Sequence, residues 1–189
     1  MDIEYELNDL LFGVRRSVRY HNLRRMFFER LGLFKNAITV ILGSAAVYGV
    51  VGQLGDCGKV ISIVSGLFVT VLATIDLVIG SSRAARLHSD LARRFIVLEK
   101  KIELQSDPTE DMIRQWKGER LEIEMEEPPV LRVLDTLCHN EMVRAMGYSK
   151  TELKSVKWYQ RWFAQYVDLC AHNLGWDSPD PGKAITAGH

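Results

Sequence analysis

Val60-ISIVSGLFVTVLATIDLVIGS-Ser82 decides the reading of this chain: one charged residue, Asp76, in a run long enough to cross a bilayer. A helix rises about 1.5 Å per residue, so about 20 apolar residues span a hydrocarbon core of roughly 30 Å. Just upstream, Asn36-AITVILGSAAVYGVVGQL-Gly55 is also long enough to span and has no charged residue. Gly55-Asp56-Cys57-Gly58-Lys59 separates the two runs and reads as a short glycine-rich turn. A short connection favours antiparallel neighbours, so the two runs are expected to form a membrane hairpin. A buried hairpin inside a soluble bundle is the competing reading.

Basic residues flank the runs unevenly. Arg15, Arg16, Arg19, Arg24, Arg25, Arg30 and Lys35 precede the first; Arg83, Arg86, Arg93, Arg94, Lys100 and Lys101 follow the second; the turn carries only Lys59. Cytoplasmic loops are enriched in Lys and Arg, so both termini are expected in the cytoplasm. Whole-chain averages hide this. The 189 residues carry 24 basic and 24 acidic side chains, with mean hydropathy near zero. The acidic opening Met1-Asp2-Ile3-Glu4 does not read as a signal peptide.

Outside the runs every pattern is helical. Leu7, Leu10, Leu11, Val14 and Val18 share one face of a helix over 3–20, and Arg25 would interrupt that stripe, which predicts a break near His21-Asn22 and a second helix to Leu33. Ala84, His88, Leu91, Phe95, Leu98 and Ile102 form a heptad-like seam on a helix continuing the second run. Asp107-Pro108-Thr109-Glu110 reads as a helix start, with Met112, Trp116 and Ile123 on that helix, which ends before Pro128-Pro129. A helix over 130–146, closed by Gly147, carries Leu131, Leu134, Cys138, Met142 and Ala145 on one face. A last helix over 149–174 places Tyr159, Trp162, Phe163, Tyr166 and Cys170 inward. The expected organisation is therefore all-α and oligomeric. It comprises cytoplasmic amphipathic helices over 1–34, a two-span hairpin over 35–82, a cytoplasmic helical bundle over 83–175 and a flexible tail over 176–189.

The chemistry on offer is sparse. There is no HExxH, GxxxxGK[ST], GxSxG or GxGxxG, and three scattered cysteines (Cys57, Cys138, Cys170) make no disulfide framework or zinc site. No catalytic residue, metal or cofactor is expected. Cys138, His139 and Glu141 are the residues a membrane-bound enzyme would use. Asp76 is the sharpest feature, because carboxylates within spans face a bundle interior or a water-filled path. Ser62, Ser65, Val69, Leu72 and Asp76 share one helical face. In a symmetric oligomer that face could line a pore, with Val69 and Leu72 as a constriction and Asp76 as an acidic ring. Pairing of Asp76 with Arg83 or a basic residue of the first helices is the alternative. Ala45 and Gly49 form a small-xxx-small pair suited to close helix packing. Arg15, Arg16 and Arg19, with Arg24 and Arg25 nearby, form a basic face for lipid headgroups or a phosphate-bearing ligand.

The arrangement resembles the SMODS- and SLOG-associating two-transmembrane effectors, written SLATT. The resemblance covers roughly residues 10–175. It rests on the charged helical lead-in, the span AITVILGSAAVYGVVGQL, the turn GDCGK, the span ISIVSGLFVTVLATIDLVIG running into SSRAARLHSDLARRFIVLEKKIEL, and the segment EEPPVLRVLDTLCHNEMVRAMGY. It implies a pore- or channel-forming effector of a bacterial antiphage system in the inner membrane. It further implies a homo-oligomer gated by a nucleotide or oligonucleotide second messenger from a partner nucleotidyltransferase. A non-conducting membrane scaffold with a helical docking module is the alternative.

Overall fold

The computed structural model describes residues 3–51, 55–171 and 174, and it is all-helical, with no strand among the described residues. Among these residues six α-helices follow in order: α1 Ile3–Val51, α2 Gly55–Ile79, α3 Ser81–Glu103, α4 Glu110–Glu124, α5 Arg132–Ala145 and α6 Trp158–Phe163, with a 3-10 turn at Lys150–Glu152 before α6. The chain divides into two compact units: Met1–Tyr20 with Arg94–His189, and His21–Arg93.

The expected break at His21-Asn22 does not exist, because α1 is one helix of 49 residues. Its covered stripe keeps a seven-residue period through positions 14, 21, 28 and 35. Val14, His21 and Lys35 are buried, and Phe28 is partly covered. The stripe passes through a histidine and a lysine, which a pattern of apolar residues does not count, so the apolar periodicity stops where the helix continues.

The expected turn at Gly55–Lys59 is likewise the first turn of α2, with Gly55 in the left-handed region (φ +60°). Residues 52–54 lie outside the described residues, as does the 176–189 tail. The burial of Gly49, half of the small-residue pair, is likewise not described. Gly80, with φ +58°, interrupts the helical run between α2 and α3. Helical hydrogen bonds continue across it: the Gly80 N–H donates to the Asp76 carbonyl at 2.8 Å, and the Ala84 N–H to the Gly80 carbonyl at 2.9 Å. Only glycine occupies this conformation without a steric penalty.

The unit containing α4–α6 buries an apolar core. Leu10, Val14, Phe95, Leu98, Ile102, Ile113, Trp116, Ile123, Val133, Leu134, Cys138, Met142 and Val143 are buried. Helix α4 starts two residues later than expected, with Thr109 rather than Asp107 as its cap; the Thr109 hydroxyl accepts from the Met112 N–H. Gly147 (φ +73°) closes α5 as expected, the Tyr148 N–H reaching the Val143 carbonyl at 2.9 Å. Helix α5 has no side-chain cap of its own. The Asp168 carboxylate supplies one from downstream, accepting from the Arg132 N–H at 2.9 Å and the Val133 N–H at 3.1 Å.

The long last helix is not formed. Helix α6 has six residues, and Trp162, Phe163, Tyr166 and Cys170 are exposed; among the described residues of this stretch the buried positions are Gln160, Ala164 and Leu174. Gln160 donates to the Leu169 carbonyl and Cys170 has φ +52°, so the chain folds back on itself rather than extending as a helix.

The unit His21–Arg93 has the opposite texture. Its buried side chains include His21, Lys35, Ser62, Ser65, Ser81 and His88. Its exposed ones include Leu33, Phe34, Val40, Ile41, Val60, Ile63, Val64, Leu67, Phe68, Leu77 and Val78. Among the described residues one helical run, Gly58–Glu103, is long and apolar enough to cross a membrane, and only 6 % of its apolar window is buried. Exposed hydroxyls on these helices close on their own backbone: Ser44 donates to the Val40 carbonyl, Thr70 to that of Gly66 and Thr74 to that of Thr70. Such back-bonding satisfies hydroxyls where no water is available.

Candidate functional site

Two polar clusters lie in the unit His21–Arg93, at the helix break and beyond it. At the break, Lys35 of α1 forms an ion pair with Asp76 of α2. Its ammonium also donates to the Ser81 hydroxyl at 2.8 Å, and Ser81 donates to the same Asp76 carboxylate at 3.0 Å. The three residues form a closed triangle. Lys35 and Ser81 are buried and Asp76 is half-exposed. Gly80 brings Ser81 to this position. The alternative that Asp76 pairs with a basic residue of the first helix is the arrangement observed, and Lys35 supplies the charge.

The proposed pore face is covered within a single chain. Ser62 and Ser65 are buried, and Val69, Leu72 and Asp76 are partly covered, whereas the neighbouring Val60, Ile61, Ile63, Val64, Leu67 and Phe68 are exposed. The least polar surface of α2 therefore faces outward.

In the second cluster His21 of α1 and His88 of α3 meet Nδ1 to Nδ1 at 2.9 Å, both buried. One nitrogen donates and the other accepts, so the contact exists only while at least one of these nitrogens is unprotonated. The Phe28 ring stacks on His88 with centroids 5.7 Å apart, and the Arg24 guanidinium lies 4.6 Å from the Phe28 centroid. Burial, with the nearby His21 and Arg24, pushes the His88 pKa down to about 4. No sequence spacing pairs these histidines, which are 67 positions apart. The one available signal is the place of His88 on the apolar seam.

The five arginines expected to bind a ligand do not present one unpaired face. Arg15 bridges Glu99 (2.7 Å) and Glu103, Arg16 reaches Asp135 at 3.2 Å, and Arg19 reaches Glu141 at 3.4 Å. Arg24 stacks on Phe28, and Arg25 approaches Glu29 at 3.8 Å. The carboxylates that neutralise the first three lie far along the chain, Glu99 being 84 positions from Arg15, so no local pattern announces the pairing.

Cys138, His139 and Glu141 form no catalytic constellation. The Cys138 thiol is fully buried, and burial, with the charges of Asp135 and Glu141, pushes its pKa up to about 12. His139 donates from Nε2 to the Glu152 carbonyl at 3.1 Å, and Glu141 faces Arg19. Among the described residues no group of three or more His, Cys, Asp and Glu side chains is placed to hold a metal. No protein-family model, curated protein or solved structure matches the chain.

Proposed function

We propose that this chain is a bacterial inner-membrane effector of the SLATT type. Its runs 36–55 and 60–82 cross the bilayer as a hairpin, both termini lie in the cytoplasm, and copies of the chain assemble into a pore or channel. The observation that carries the reading is the reversed texture of the unit His21–Arg93. Lys35, Ser62, Ser65, Ser81, His21 and His88 are buried there along with Leu91, Ala85 and Ala92, while most of the unit's described leucine, valine, isoleucine and phenylalanine side chains are exposed. Water-soluble monomers rarely expose apolar surface on this scale, and a bilayer reverses the preference.

In this reading the monomer is the resting form. The pore face is buried at Ser62 and Ser65 and partly covered at Val69, Leu72 and Asp76 by its own chain, and the Lys35–Asp76 pair latches it. Conduction requires exchange of this intrachain pairing for contacts between copies. A nucleotide or oligonucleotide second messenger from a partner nucleotidyltransferase would act at Arg15, Arg16 and Arg19 by displacing Glu99, Glu103, Asp135 and Glu141. It shifts the equilibrium only by its differential affinity for the two forms.

A second reading, a non-conducting membrane scaffold with a helical docking module, is favoured by the same internal satisfaction of Asp76 and the arginines. Ion flux through liposomes carrying the purified protein separates the two. The effector reading expects flux that appears with a cyclic dinucleotide or oligonucleotide and changes in Asp76→Asn. Flux absent under every nucleotide tested, in protein shown to be inserted and oligomeric, establishes the scaffold.

A further inference from the structure

An open groove of about 600 Å³ lies beside the helix break, lined by Ala73, Asp76, Leu77, Ser82, Arg83 and Arg86 together with Gly80 and Ser81. Its chemistry is graded along the chain. Ala73 and Leu77 form an apolar end, and Leu77 is 85 % exposed. Ser82 brings a hydroxyl to the middle. Arg83 and Arg86 form the far end, three residues apart on a helix and therefore on one face. Asp76 also borders the groove, and Lys35 and Ser81, both on its Oδ1, offset the charge of its half-exposed carboxylate.

These two arginines differ from those of the first helix. Arg15, Arg16 and Arg19 each face a carboxylate. Among the described residues no carboxylate lies within ion-pair distance of Arg83 or Arg86, and both are exposed. The nearest acidic residue along α3, Asp90, pairs with Arg93 at 3.3 Å. A pair of guanidinium forks on one face suits a phosphate oxygen set, which it can grip from two sides.

We propose that Arg83, Arg86 and Ser82 form a binding site for a phosphate ester, filled by the headgroup of an anionic phospholipid. The order apolar, hydroxyl, guanidinium along this stretch matches the order acyl chain, glycerol, phosphate in such a lipid. The groove stands where the apolar run of α2 ends, which is where headgroups lie. This assignment rests on the membrane reading above. The bound lipid would stiffen the Gly80 junction and couple lipid composition to the Lys35–Asp76 latch.

The test uses the full chain in nanodiscs of phosphatidylcholine with increasing phosphatidylglycerol. Retained lipid is counted by native mass spectrometry after release, and membrane insertion is scored separately by carbonate extraction. Arg83→Gln/Arg86→Gln is compared with wild type and with Arg144→Gln, an exposed arginine at the end of α5. A basic residue near an anionic surface contributes about a fivefold factor in affinity, so the double variant should lose about 25-fold in preference for phosphatidylglycerol, with Arg144→Gln unchanged. An inserted wild-type protein with no preference, or a double variant that keeps it, overturns the site alone. Extraction of the wild type by carbonate overturns the membrane reading and the site with it. Inorganic phosphate at millimolar concentration displacing the lipid as readily as phosphatidylglycerol retains it would assign the site to a soluble phosphate instead and overturn the lipid assignment.

Discussion

Lowering the pH from 7.5 to 4.5 should destabilise the fold through the His21–His88 pair. His88 is 3 % exposed, and burial is the main cause that moves its pKa from 6.5 to about 4, with His21 and Arg24 adding to it. In the unfolded chain the imidazole titrates near its ordinary value, so between pH 6.5 and 4 the unfolded state binds more protons than the folded one. The stabilisation is therefore complete above pH 6.5 and is lost as pH falls towards 4. A tenfold difference in proton affinity between the two states is worth about 1.4 kcal/mol, so arrival at pH 4.5 removes about 2–3 kcal/mol. For a chain of this size that is a fall of roughly 5–10 °C in melting temperature. The assay is helicity followed on heating in detergent micelles at fixed ionic strength, for wild type and for His88→Asn and His88→Phe. Carboxylate protonation contributes equally to all three proteins, and neither replacement side chain titrates in this range. The variants should lose most of the acid-induced fall. An equal fall in wild type and both variants refutes the reasoning, because the destabilisation would then come from elsewhere.

Three further outcomes follow from the geometry. Lys35→Met should leave Asp76 without its counter-charge and lower membrane insertion by about 2–3 kcal/mol, and Asp76→Leu in the same chain should restore most of it, as scored by a glycosylation-reporter insertion assay. Maleimide applied to the native protein at pH 7.5 should modify Cys170 and spare Cys138, whose buried thiol sits near pKa 12; peptide mapping before and after denaturation reads both sites. Asp168→Ala should remove the cap of α5 and cost about 1–2 kcal/mol, measured by urea unfolding, with Asp168→Asn losing less because an amide oxygen still accepts a hydrogen bond.

Local rules carried well where the signal was contiguous. The seam of α3 is buried at His88, Leu91, Phe95, Leu98 and Ile102. Gly147 ends α5, and the double proline limits α4, because capping and backbone sterics act within a few residues. Trp162 and Cys170 depart from the local pattern: aromatic periodicity suggests a helix there, and the chain instead turns back to place Gln160 under the Leu169 carbonyl. His21 departs from it too, as a polar residue that holds a buried position on α1.

The helical class and the run of α2 long and apolar enough to cross a membrane are legible in the sequence residue by residue, since both follow from local periodicity and length. Which charges are paired is set by the packing of the helices. Asp76 meets Lys35 across 41 positions, Arg15 meets Glu99 across 84, and His21 meets His88 across 67. Coulomb attraction and burial depend on distance in space, and spacing along the chain carries no record of that distance once helices fold back on one another.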